Sequence, residues 1–397
     1  MSAKSLKVAR LAQPQPPETL LLPLLPQEEY LRARLEDAAD RSQVSLPQGD
    51  KRYLQEMHIA AKRLGGGPRR EKLLRLLIKR ESWFKSAREI DPERIKPRLY
   101  PVGDTLTDDL WQIGRSCWSM PFNKGYGRRL RFVVLDEAHD ALIGLIGLQS
   151  PPADLSCRDE LFDYPKGDKL RLVNQTMDAY TVGALPPYSH LLGGKLCAGL
   201  ICSDSVRQAY WRTYAKSKTQ MKGKRIDQPL VAVTTTSAFG RSSQYNRLKY
   251  KDRLLAKPIG ETKGFGLLHL EHLYPEIEAF LKRRSISSSG GFGNGPKIRW
   301  QNVTRVLHLL GLPNTVLCHG LRRPVYLFPF VEDLASGMSG GSFGQPLSLL
   351  EETFAEYWLH RWALPRIQRF PEWNAVDALS LLRNKIASEC LQTPCDG

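Results

Sequence analysis

The sequence predicts an α/β fold around a central mixed sheet, and three observations carry that expectation. Strand-patterned and helix-patterned segments alternate from about residue 108 to about 330, the signature of a layered α/β or α+β arrangement. Two apolar runs, 129–135 and 141–148, flank the polar turn 136–140 and read as a hairpin. A chain of 397 residues that is 42% hydrophobic also carries enough apolar side chain to bury a sizeable core.

The elements follow in order. Residues 1–27 are rich in Pro and Gln and read as an arm without a core of its own. Residues 28–100 read as a basic helical unit, with helices at about 28–39 and 51–64 and a third opening at Pro68, a residue suited to a first helical turn. That third helix sets Leu73, Leu74, Leu76, Leu77 and Ile78 against a polar face of Arg69, Arg70, Lys72, Arg75, Lys79 and Arg80. Prolines at 92, 97 and 101 mark a linker over 91–102. The central domain, 101–284, holds a helix at 110–118, the hairpin, and strands at 169–173 and 177–185. It continues with a helix from Gly193 to about Tyr214, a strand at 230–235, a helix from about 242 to 252 and a strand at 266–270. Over 285–345, Ser/Gly-rich loops, a helix at 298–310 stopped by Gly311 and Pro313, and a strand at 325–330 complete the core. Residues 346–397 form the closing helices, 347–362 and 375–388.

Charge narrows the function classes. The formal net charge is +17, which favours a polyanionic partner such as DNA or RNA. It is concentrated in two blocks: 51–98 is net +9 and 207–257 is net +11, so the remainder is slightly acidic. Aromatic residues interleave with the blocks, among them Trp83, Phe84, Tyr210, Trp211, Tyr214, Tyr245 and Tyr250, and aromatics stack on exposed bases. The residues expected on nucleic acid are Arg69, Arg70, Lys72, Lys79, Lys216, Lys218, Lys222, Lys224, Arg225, Arg241, Ser242, Arg247 and Lys249. The early apolar run Leu20–Leu25 is too short to span a membrane and is broken by Pro23, so no membrane partner is expected. Seven scattered cysteines without a Cys-x-x-Cys pair point to neither a disulfide framework nor a zinc ribbon, and the compartment expected is the reducing cytoplasm.

Several motifs bear on chemistry. Val133, Val134 and Leu135 lead into Asp136-Glu137-Ala138-His139, the way helicases present a magnesium-binding carboxylate. The chain has no phosphate cradle of the G-x-x-x-x-G-K-[ST] form, since Ser189 and Leu196 stand where Gly and Ser/Thr are needed, so 136–140 reads as a hairpin turn. Pro186-Pro187-Tyr188-Ser189-His190-Leu191-Leu192-Gly193-Gly194-Lys195 lies between a strand and a helix, where free amides can hold a phosphate. Gly193, Gly194 and Lys195 are therefore the candidate phosphate or coenzyme A loop. The order of strand, proline-containing loop, glycine pair and helix resembles the acetyltransferase-like (GNAT) fold. Hydroxyls of Thr234, Thr235 and Thr236 run through Gly240 to Arg241, Ser242 and Ser243, a combination that suits phosphate oxygens or simply caps a helix. Asp159, Tyr245 and Glu261 are the catalytic candidates, with Asp178 a further carboxylate able to converge on them; Arg158 beside Asp159 reads as a surface ion pair. His269-Leu270-Glu271-His272 lacks a third ligand, so no metal is assigned, and no cofactor is fixed.

A broader resemblance rests on longer stretches. They are Glu89-Ile90-Asp91-Pro92-Glu93-Arg94-Ile95-Lys96-Pro97-Arg98-Leu99, Gly125-Tyr126-Gly127-Arg128-Arg129-Leu130-Arg131-Phe132, Leu142-Ile143-Gly144-Leu145-Ile146-Gly147 and Met177-Asp178-Ala179-Tyr180. With Leu192–Leu196, Thr234–Leu248 and Ile259-Gly260-Glu261-Thr262-Lys263-Gly264-Phe265, they resemble the DruA family of the Druantia anti-phage system and its relatives beside mobile elements. The resemblance spans about 50–345 and leaves the closing helices outside it, free for a partner. It implies a defence or mobile-DNA role beside other system proteins, and supplies no catalytic motif. Phe265 stands where relatives more often carry Trp. The leading expectation is a DNA-associated defence component; the alternatives are an acyl-CoA-dependent acyltransferase-like enzyme and a non-catalytic scaffold for a nuclease or helicase.

Overall fold

A computed structural model describes residues 24–44, 55, 58, 59, 62, 70–120, 127–218, 229–238, 240, 242–289 and 298–388. The chain divides into two compact units, one made of 1–38 with 273–316 and the other of 39–272 with 317–397.

The larger unit is built on a sheet. Its elements are α1 (Arg70–Lys79), β1 (Pro97–Pro101), α2 (Thr105–Ser116), β2 (Arg129–Asp136), β3 (Ala141–Gln149) and β4 (Thr176–Ala184). Then come α3 (Gly193–Leu200), α4 (Asp204–Tyr214), β5 (Ala232–Thr236), a short hairpin of β6 (Lys249–Tyr250) and β7 (Arg253–Leu254), β8 (Lys257–Glu261), β9 (Pro324–Pro329), α5 (Glu351–Trp358) and α6 (Ala378–Ser388). The seven-stranded sheet has the order β1-β2-β3-β4-β5-β9-β8. Strands β4 and β5 run parallel and the other neighbours antiparallel, so the sheet is mixed, as expected.

Both faces are covered, which explains why β2 and β3 are apolar almost throughout rather than alternating. Phe132, Val134, Ile146 and Leu148 pack with Leu196 and Cys197 of α3, Val206 and Tyr210 of α4, and Phe354 and Trp358 of α5. Val133, Leu135, Leu142 and Leu145 face the other way, with Leu77 of α1, Leu110 and Ile113 of α2 and Leu382 of α6. Each such side chain contributes about 1.5–3 kcal/mol by leaving water. The α3 layer sits very close: a Cβ on Gly144 would stand 2.5 Å from the Cys197 sulfur, and one on Gly199 1.9 Å from the Phe354 ring.

The smaller unit is helical, and the helices Tyr274–Arg283 and Ile298–Leu309 belong to it. Glu28, near the start of the helix Pro26–Val44, is fully buried and accepts from Nε and Nη2 of Arg284 at 2.8 and 2.6 Å. That forked contact holds the Glu28 carboxyl below the usual carboxylate range. Asn302 donates to the Tyr274 hydroxyl at 2.9 Å, and the Arg299 guanidinium lies 4.5 Å from the Tyr274 ring centre.

Several expected elements are corrected. The linker expected over 91–102 contains β1, an edge strand paired to β2 from Pro97–Asp136 to Pro101–Phe132; prolines are tolerated there because an edge leaves some backbone N–H groups without a ladder role. The strand expected at 169–173 is a short helix, Lys169–Val173. The long helix from Gly193 is interrupted, and Ser203 caps a second helix by accepting from the Val206 N–H. The helix expected over 242–252 is a turn followed by the β6–β7 hairpin, with Arg247 and Lys251 at positive φ. Residues 266–270 are turns, anchored by Gly266 N–H donating to Leu317 O at 2.9 Å. The closing helix 347–362 is α5 followed by a π turn, Leu359–Ala363. The helix expected over 51–64 falls mostly outside the described residues, as does the arm.

Candidate functional site

Asp136 shows how the helicase-like run is used. Buried at the end of β2, its carboxylate accepts from the N–H groups of Lys96 and Ala138, the Tyr188 hydroxyl and His139 Nδ1. These bonds tie the β2–β3 turn to the loop after β4, a structural task. The turn is where the sequence places it.

The loop between β4 and α3 is fixed from both sides. Leu192 takes φ +58°, and its carbonyl accepts from Lys195 N–H at 2.8 Å and Trp358 Nε1 at 3.1 Å. The Pro187 carbonyl accepts from Trp373 Nε1 at 3.1 Å. Lys195 turns inward: its ammonium donates to Asn246 O at 2.8 Å and lies 5.5 Å from the Trp362 ring centre, and burial lowers its pKa. Among the described residues, nothing accepts from the N–H groups of Gly193 and Gly194. The first-turn donors of α3 are thus present, and the lysine beside them is committed elsewhere.

The carboxylates and Tyr245 fall into different surroundings. Asp178 lies on the central strand yet keeps partial solvent exposure. It accepts from Gln149 Nε2 and Thr234 Oγ1, both at 3.1 Å. Burial pushes its carboxyl above the usual range, opposed by those two bonds and by the charges of Arg158 and Arg323. Near it the buried Gln149 Oε1 and Arg323 Nε make no hydrogen bond among the described residues. Arg158 is 1% exposed, so the expected surface ion pair is a buried one: Arg158 donates to Asp159 at 2.6 and 2.8 Å and to the carbonyls of Pro152 and Ala153. Burial would raise the Asp159 carboxyl, but Leu155 N–H, Lys169 and Arg158 outweigh it and hold it low. The guanidinium that binds Asp159 directly thus also favours the charged form of Asp178. Tyr245 packs on the opposite sheet face, its ring centre 5.0 Å from that of Tyr326, and burial raises its hydroxyl. Glu261 is exposed on the edge strand β8. Sequence reading named the two aspartates but missed Arg323 and Gln149, which nothing local in the sequence marks.

The cations divide by what surrounds them. Arg69, Lys222, Lys224, Arg225 and Arg241 lie outside the described residues. In the first block, Lys79 and Arg80 pair with Asp109, Lys85 with Glu89, Lys96 with Glu137, and Arg98 with Glu137, Glu351 and Glu352. Arg70 and Lys72 stay exposed on α1. In the second block, Lys216 and Lys218 follow the end of α4, Arg247 precedes β6, and Lys249 is on it, all exposed. Among the described residues no carboxylate pairs with these four, nor with Arg70 or Lys72. Ser242 uses its hydroxyl to accept from Gln244 N–H at 3.2 Å, a local turn bond. Helix α4 and the β6–β7 hairpin both pack into the same apolar layer, through Val206, Tyr210, Leu248 and Leu255.

Among the described residues no helix is long and apolar enough to cross a membrane, and no group of three or more His, Cys, Asp or Glu side chains is placed to hold a metal ion.

A family model described as "Druantia protein DruA" matches residues 50–340. A curated relative, "Druantia protein DruA" of Escherichia coli (strain UMEA 4076-1), is 37% identical over 313 residues, covering 76% of this chain and 77% of its own. No solved structure matches.

Proposed function

The chain belongs to the DruA family, and from that premise we propose that it is a DNA-associated component of a prokaryotic anti-phage defence system of the Druantia kind, working beside other proteins of that system. The observation that carries nucleic-acid contact is the contrast between the two basic blocks. In the first, Lys79, Arg80, Lys85, Lys96 and Arg98 are paired with carboxylates and Arg70 and Lys72 are not, whereas Lys216, Lys218, Arg247 and Lys249 of the second all stand exposed without a carboxylate partner among the described residues. Unpaired surface cations cost little to carry and release counterions from phosphates on binding. The test is binding to single-stranded DNA, duplex DNA and RNA across a salt series, with magnesium and a cleavage gel alongside. Reversing Lys216, Lys218 and Lys249 to Glu is expected to weaken binding and flatten the slope of log K against log salt by about 0.7–0.9 for each phosphate that is no longer neutralised. An unchanged slope would remove the block from the interface, and no binding by the wild-type protein at low salt would overturn DNA contact itself.

A second reading, an acyltransferase-like enzyme, is favoured by the sheet. The order β1-β2-β3-β4-β5-β9-β8 with its parallel β4–β5 pair, and a helix opening on two free amides directly after β4, resembles the acetyltransferase-like (GNAT) arrangement. Protection of the 186–195 loop from hydrogen exchange by acetyl-CoA is the measurement that separates the two readings; no protection would remove this one.

A further inference from the structure

Helix α4 carries Asp204, Arg207, Gln208 and Trp211 at i, i+3, i+4 and i+7, one stripe of a helix whose other face buries Val206 and Tyr210. With Pro229 that stripe lines an open recess of about 380 Å³ with a mostly apolar wall. Trp211 is 42% exposed, unusual for the largest apolar side chain and a mark of a contact surface.

We propose that this recess receives an unstacked nucleobase, stacked on the Trp211 indole. The inference rests on the nucleic-acid reading and deepens it. The polar groups at the rim suit a base edge. Gln208 Oε1 already accepts from Arg212 at 2.9 Å, which leaves its amide N–H groups to donate. The Arg207 guanidinium stands 3.9 Å from Asp204 Oδ1, beyond a hydrogen bond. Asp204 adds an acceptor for an exocyclic amine, which no phosphate would offer. Past Trp211 on the same helix end come the exposed Arg212, Lys216 and Lys218, placed for the phosphates that flank a stacked base. A base inside a duplex is already stacked and paired, so the strand recognised here is single.

The test uses fluorescence anisotropy with a labelled single strand of about ten nucleotides, the same strand made abasic, and a duplex. The full-length protein is compared with Trp211→Ala and Trp211→Phe, with circular dichroism to establish that each is folded. Wild-type protein is expected to bind the abasic strand about 5- to 150-fold more weakly than the normal strand. Trp211→Ala should lose a similar factor on the normal strand and almost nothing on the abasic one, Trp211→Phe should recover most of the loss, and the salt slope should stay put. If Trp211→Ala binds the normal strand like wild type while the wild type does bind DNA, the base site is refuted, leaving the nucleic-acid reading intact. Displacement of the strand by micromolar nucleoside monophosphate would reassign the recess to a free nucleotide. Absence of any strand binding by the wild type would remove both readings together.

Discussion

Asp178 is where the residue scale is most informative. A carboxylate on a central strand with a raised pKa disfavours its charged form, and Arg158 and Arg323 offset this only in part. With the folded pKa above the unfolded value near 3.9, the folded state binds the proton more readily. Its favourable contribution is therefore complete below the unfolded pKa and is lost as pH rises through the folded one. Asp178→Asn keeps an acceptor for Thr234 and offers an N–H to the unpartnered Gln149 Oε1. It is expected to melt higher than wild type at pH 7.5 by about 2–4 °C, with that advantage shrinking toward pH 4. Thermal melts of both proteins across this range check it; an Asn variant that loses ground as pH rises would mean that the two arginines depend on the charge.

Among the elements, the closing helices change most on passing from sequence to structure. They lie beyond the matched 50–340, yet Phe354 and Trp358 of α5 and Trp373 after it are buried in the main core. Trp358→Ala is expected to cost about 3–5 kcal/mol in urea unfolding. Trp358→Phe should cost about 1 kcal/mol beyond its lost packing, because Leu192 O keeps its bond from Lys195 N–H. A Trp358→Ala loss under about 1 kcal/mol would mark the helices as an appendage rather than part of the core. The hairpin, β9 and the helix Ile298–Leu309 were legible because their signals are local: apolar runs bounded by turn residues, and a helix stopped by Gly and Pro. Strand β8 was not, since Pro258 and Gly260 weaken a strand pattern, and only pairing with β9 makes it one. The same limit applies to the site. Asp178 and Trp211 could be picked out by residue type, whereas Arg323 acting on Asp178 and Pro229 lining the recess with Trp211 are brought there by the fold.

At the scale of the whole molecule, the chain leaves the larger unit at His272 and returns at Leu317. Both ends of that excursion are held inside the larger unit: Gly266 N–H donates to Leu317 O at 2.9 Å, and Phe265 forms a bridge with Cys318. Insertions with neighbouring ends can be removed without opening the host, because the closure entropy of a short link is small. A chain joining 39–272 to 317–397 through a short Gly/Ser link is therefore expected to unfold in one cooperative step, with a denaturant slope reduced in proportion to the surface removed. The exposed cations of α4 and the β6–β7 hairpin all remain in it, so its slope of log K against log salt on DNA should match wild type within about 1. Urea unfolding and the salt series decide this together. A folded chain with a markedly flatter slope would move the phosphate contacts into the removed unit, and failure to fold would show that the two units form one cooperative structure.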